Sequence, residues 1–146
     1  MEKRAKDQLI AIRDAQKRLF IMAERSDMLR ATLYGNCIRY DKDKVQTSAS
    51  DVFGDRMADI VQRVKYIRKR QVRLDMIKDS MRLSIWQIDG DQYRDALELY
   101  YLGVMEGPRL YTWKDVAIEI GTSEKYLIHT VHPKALKLLD NILYMG

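Results

Sequence analysis

His129 and His132 stand three residues apart, a spacing at which two imidazoles can share one side of a helix and a metal ion. No carboxylate or cysteine completes a ligand set at a recognised spacing, so two solvated histidines are expected instead. Cys37 is the only cysteine, which excludes an intrachain disulfide and a cysteine-based zinc site. Arg39 is close to it in sequence, but a lone thiol near a helix end is expected to pack rather than react. The stretch GVMEGPRL, residues 103–110, lacks the Lys-Ser/Thr ending of a phosphate loop, and neither Gly-x-Ser-x-Gly nor His-Glu-x-x-His occurs. The expectation is a non-enzyme with no cofactor and no bound metal.

The chemistry of recognition is better represented. In TWKDVAIEIGTSEKYLIHTVHPKALKLL, residues 112–139, Trp113, Val116, Ala117 and Ile120 recur at helical spacing behind a capping Thr112. Gly121 can adopt φ > 0, stop that helix and redirect the chain, with Thr122 or Ser123 available to cap the next one. The second helix has the stripe Leu127, Val131, Ala135, Leu138 and Ile142, which leaves Glu124, Lys125, Tyr126, Ile128 and His129 facing outward. Two helices about a tight glycine turn are a helix-turn-helix, whose second helix ordinarily enters a major groove of double-stranded DNA. Thr112, Trp113, Thr122, Ser123, Lys125, Tyr126, His129, Thr130 and Lys134 are therefore the candidate DNA contacts, although a large aromatic in the place of Trp113 is more often a core residue. Pro133 has no N–H to give a helix, so the recognition helix is expected to run only from about Ser123 to Val131 and to restart at the proline.

Charge is distributed unevenly. Residues 1–88 contain 20 Lys and Arg against 12 Asp and Glu, whereas residues 89–146 contain 6 against 9, so the reading head is acidic while the N-terminal part is basic. Because Lys and Arg supply the non-specific part of DNA affinity, the run Arg63, Lys65, Arg68, Lys69, Arg70 and Arg73 is the second candidate feature. Either Arg63, Arg68, Lys69, Arg70 and Arg73 contact phosphates, or the run is a solvated helix face.

These residues need elements to hold them. A 146-residue chain that is 47% hydrophobic and 32% charged, with two prolines, suits a helical fold with a real core. From Ala5 to Leu33 the residues Ile12, Ala15, Leu19, Met22, Leu29 and Leu33 form a seam interrupted at Ser26. From Phe53 to Ile88 the seam is Phe53, Met57, Ile60, Val64, Ile67, Leu74, Met81 and Ile88, with Gln71 within it. Two long rods in an antiparallel, coiled-coil-like hairpin bury both seams and leave apolar surface for self-association. The link Arg39–Asp51 reads as a polar turn or a partly disordered stretch, with Ser50 or Asp51 capping the second rod. Periodicity breaks at Asp89-Gly90-Asp91; Tyr93, Ala96, Leu97, Tyr100 and Tyr101 then mark a short helix, and Gly103 to Tyr111 a loop. The fold class is all-α: a helical hairpin for oligomerisation over 1–88 and a helix-turn-helix module over 89–146. No membrane span or signal peptide is recognisable, and the cytoplasm is the expected location.

Three segments carry a resemblance: DKVQTSASDVFGD at 43–55, DQYRDALELYYL at 91–102, and TWKDVAIEIGTSEKYL with HPKAL inside 112–136. They resemble small phage-encoded late-transcription regulators of the ArpU and RinA types, in which a helical region precedes a module similar to region 4 of sigma-70 factors. The resemblance implies a bacteriophage or prophage DNA-binding regulator of late genes, working in the host bacterial cytoplasm and touching host RNA polymerase. Relative to that pattern the second helix has one residue more between Leu127 and His132. A homo-oligomer is expected, with a dimer favoured. Two other readings fit the same architecture: a small terminase subunit for DNA packaging, and a protein-interaction adaptor whose acidic module docks on RNA polymerase.

Overall fold

The computed structural model describes residues 4–42 and 47–145, and the side-chain surroundings of 5–35 and 52–144. The protein is all-α apart from a two-stranded ribbon. Two helices, α1 (Arg4–Lys42) and α2 (Thr47–Ile85), form the hairpin. Both are longer at the bend than the polar composition of 39–51 suggests. Ser50 and Asp51 lie inside α2 rather than at its cap, and residues 43–46, the rest of the expected turn, fall outside the described part.

By packing, the chain makes two compact units, 18–72 and 1–17 with 73–146. Along α2 the seam steps by alternate threes and fours, and along α1 it does so up to Leu19 and by sevens from there to Leu33. Within 18–72 the buried members are Leu19, Ser26, Leu33 and Ile60. The α2 seam is the expected one, but the α1 seam is displaced: Met22 and Leu29 are exposed, and Ser26 sits in the seam instead of interrupting it. Polar residues were passed over because burial was inferred from apolar side chains alone, whereas a heptad position is set by the helix period whatever residue occupies it.

The same holds at the base of the hairpin, in the unit containing 1–17 and 73–146. Ala5, Leu9 and Ile12 are buried, as are Leu74, Met81, Ile85 and Ile88, and among them lie Gln16 and Lys78. Lys78 Nζ donates to Gln16 Oε1 at 2.6 Å. Burial holds the Lys78 amine below its ordinary pKa, partly countered by Asp75. Replacing Gln16 with Leu leaves a buried amine without this acceptor and should cost about 3 kcal/mol in urea denaturation. Gln16→Leu combined with Lys78→Met should recover most of it, because the desolvation penalty leaves with the charge.

The C-terminal helices of this unit are α3 (Asp91–Leu97), α4 (Trp113–Ile120), α5 (Glu124–Tyr126) and α6 (His132–Asp140). Gly90, at φ 132°, begins α3, which widens into a π turn over Glu98–Leu102. The expected loop after it contains an antiparallel ribbon, β1 (Val104–Met105) against β2 (Arg109–Leu110), turned through Gly107 at φ 79°. Short, and with polar turn residues outnumbering β-branched ones, it shows no two-residue alternation from which a strand can be read.

Pro133 does not end the helix. The turn Leu127–Val131 is of π type, and His132 N–H donates to Leu127 C=O five residues back. Widening the turn moves the preceding carbonyls away from the proline ring, and it absorbs one extra residue without breaking the rod. It also rotates the following stripe, so Leu139 is fully buried where Leu138 was expected. His132 turns inward with Val131 and is buried, which corrects its reading as a solvated histidine.

Candidate nucleic-acid interface

Local chemistry builds the frame first. Thr112 is extended and caps α4: its Oγ1 accepts from Asp115 N–H at 3.2 Å, while Thr112 N–H donates back to Asp115 Oδ2 at 3.0 Å. This reciprocal box satisfies two donors left over at the helix start. The Thr112 backbone N–H and hydroxyl hold the Asp115 carboxyl below its usual range. Gly121, at φ 84°, closes α4, and its N–H donates to Ala117 C=O at 2.9 Å. Two residues on, Ser123 Oγ accepts from Tyr126 N–H at 3.1 Å and starts α5.

Those two helices pack with α3 around Ala96, Val116, Ala117, Leu127 and Val131, with Tyr93, Leu99, Tyr111 and Ile120 at the margin. This is the three-helix core of a helix-turn-helix. Facing away from it are Glu124, Lys125, Tyr126, His129 and Thr130, all exposed, with Tyr126 at 46%. Lys134 extends this surface by one further turn, its ammonium 5.2 Å from the centre of the Tyr93 ring. Lys125, Tyr126, His129 and Thr130 are thus brought together as a short polar ridge. Thr112 is exposed but both atoms of its hydroxyl are engaged with Asp115, and Thr122 is half-buried in the turn.

Trp113 is drawn inward. Its indole stacks on Tyr100, centroids 3.7 Å apart and 8° from parallel, and meets the edge of His132 at 4.5 Å. Tyr101 OH lies 2.6 Å from His132 Nε2. Burial, and secondarily the Lys6 charge, depresses the His132 pKa to about 4, so the ring is neutral near pH 7 and shares a hydrogen bond with the Tyr101 hydroxyl. From α1, Arg13 closes the stack. Its guanidinium lies 3.9 Å from the Tyr100 centroid, Nη2 donates to Tyr111 C=O at 2.8 Å, and Nη1 donates to Tyr100 C=O. Arg13, Tyr100, Tyr101 and His132 therefore set the position of α4 and α6, and no local spacing marks them as partners. The first turn of α1 is fastened too, since Ala5 N–H donates to Asp140 Oδ1 at 2.9 Å, a distant carboxylate serving as helix cap.

Three of the nine acidic residues of 89–146 share one cleft. Asp95, Glu98 and Glu119, together with Leu99, Val104, Tyr111 and Ile120, line a cleft of about 360 Å³ between α3, the ribbon and α4. Arg82 reaches Glu98 there at 3.4 Å. The ridge on α5 instead bears Lys125 with Glu124 alone against it. In the other unit, Arg63, Arg68, Lys69 and Arg70 are exposed on α2, as is Arg73 just beyond it. Arg63 pairs with Asp59 at 3.1 Å, and Arg70 lies over Tyr66 at 5.0 Å. His129 is exposed and His132 buried, so the two face different surroundings. Among the described residues no group of three or more His, Cys, Asp or Glu is placed to hold a metal, and no helix is long and apolar enough to cross a membrane.

Compared with protein-family models, curated proteins and solved structures, the chain matches none.

Proposed function

We propose that the protein is a DNA-binding transcription regulator that reads double-stranded DNA with the helix beginning at Ser123. The observation that carries this reading is the exposed ridge Lys125, Tyr126, His129 and Thr130, held on a three-helix core. Lys125 has the reach for a guanine edge or a phosphate, and Tyr126, His129 and Thr130 supply hydrogen-bonding groups of the kinds that contact base edges and backbone. Arg63, Arg68, Lys69, Arg70 and Arg73 supply the phosphate attraction that the module lacks. By resemblance the natural setting is phage or prophage late-gene control in a bacterial cytoplasm, by a homodimer that binds and does not catalyse.

Retention of fragments of the parental genome at low and physiological salt tests the proposal and identifies the operator. Lys125→Ala with Tyr126→Ala should weaken operator binding roughly fivefold to 150-fold, at about 1–3 kcal/mol for the lost contacts. Unchanged affinity in a folded double variant would remove the recognition helix from the interface. The cleft favours a second reading, an adaptor docking a basic segment of a protein such as RNA polymerase. Its mark would be little DNA binding even at low salt, where a DNA reader binds most tightly. A small terminase subunit would announce itself as a ring of eight or more copies rather than a dimer.

A further inference from the structure

The outer face of α2 between Val52 and Val72 carries a pattern that the hairpin does not use. Reading outward from Gln62, the residues three away are Asp59 and Lys65, those four away are Ala58 and Tyr66, those seven away are Asp55 and Lys69, and those ten away are Val52 and Val72. Each step pairs an acid with a base, a small residue with a large one, or valine with valine. All nine are exposed, with Val52 at 49%, Tyr66 at 46% and Val72 at 60%, and all belong to the 18–72 unit. At 3.6 residues per turn, positions three, four and seven away from Gln62 fall within about 60° of it, so they make one stripe. The seam facing α1, through Ile60, Val64 and Ile67, lies on other positions.

We propose that this face is an isologous dimer interface, in which α2 of one copy packs antiparallel on α2 of a second copy with the two-fold axis at Gln62. Antiparallel packing about that axis brings residues equidistant from Gln62 level with each other. Asp55 then faces Lys69 of the second copy near the centre of the stripe. Asp59 and Ala58 share a layer with Lys65 and Tyr66 of the second copy, the alanine leaving room for the lysine stem and the phenol ring. The contact repeats twice by symmetry. In the parallel orientation the acidic half would lie on the acidic half and Lys65 and Lys69 on their own copies, so like charges select against it. Arg63, which holds Asp59 in an exposed i, i+4 pair, does not oppose this, because such pairs contribute little and exchange partners readily. The alternation of charge along a stripe that also bears Tyr66 is what a solvated face would not require.

The interface takes Lys69 out of the run offered to phosphates, and it is tested without DNA. The wild-type chain should sediment at twice its monomer mass at low salt and dissociate as salt rises, since charged pairs at an interface are screened. Lys65→Glu with Lys69→Glu, and separately Asp55→Lys with Asp59→Lys, should each weaken self-association roughly tenfold or more while leaving helicity intact, as four attractive contacts become repulsive. Mixed together, the two variants should recover dimerisation as a heterodimer, because every level again pairs opposite charges. As a geometric check, Gln62→Cys in a Cys37→Ser background should form an intermolecular disulfide on mild oxidation, since only a residue on the axis meets itself. A monomeric wild type, or a dimer indifferent to both charge reversals, overturns the proposal. So does a failure of the mixed variants to associate when each is folded.

Discussion

Leu127→Ala should cost about 3–5 kcal/mol, the upper part of the range for a large-to-small change in a core, and should show as an early loss of structure in the C-terminal helices. Leu127 is fully buried, and the buried residues around it are Ala96, Val116, Ala117 and Val131. Two alanines and two valines have little side chain with which to fill the void, and α3 cannot move inward without disturbing the aromatic stack beside it. The cavity therefore persists, and its cost adds to the lost transfer energy. Since single domains are stable by only about 5–15 kcal/mol, the variant should lose a large share of its stability. Leu127→Met, which keeps the volume, should cost under about 1.5 kcal/mol. Chemical denaturation of both proteins checks the pair, and equal losses would show that shape, not filled volume, is what Leu127 contributes.

Acidification should destabilise the protein through His132. Its pKa is about 4 in the folded chain, against an ordinary value of 6.5 when unfolded, because burial, with Lys6 adding to it, disfavours the cation. Between those two pH values the unfolded chain takes up a proton that the folded chain refuses, so stability falls as pH drops through the window and the loss is complete below about 4. A separation of this size corresponds to roughly 3 kcal/mol. The denaturation midpoint measured from pH 7 to pH 4 should decline accordingly. His132→Gln retains a group able to accept from Tyr101 OH but cannot titrate, so its midpoint should decline less over the same interval. A wild-type midpoint flat from pH 6.5 to pH 4 would mean that His132 is protonated, or solvated, in the native state.

The elements with strong periodicity or strong local chemistry were legible without the fold. The α2 seam, the Gly90 break, the Thr112 cap, the Gly121 turn and the Ser123 start all lie where residue type and spacing put them. Each depends on a few neighbouring backbone groups, so the information is local. The α1 seam was only partly legible, because Gln16 and Ser26 occupy positions that an apolar count skips. Ser26 Oγ is buried without a hydrogen-bond partner among the described residues, a position no propensity argument would select.

The candidate site divides in the same way. Which residues lie on the outer face of the helix that begins at Ser123 follows from its period, and Lys125, Tyr126 and His129 are found there. How that helix is held does not follow. Pro133 reads locally as a break, yet the chain continues by widening a turn, because the packing of Val131, His132 and Ala135 outweighs the cost of a π segment. Arg13 and Tyr111 are 98 residues apart, and the arginine joins them only because α1 returns to the C-terminal helices. Sequence by itself determined the helices, their caps and the turn between them, since these are settled by interactions within a few residues. Tertiary structure alone decided which polar residues are buried and what fixes the helix that begins at Ser123, since each depends on side chains brought together from distant parts of the chain.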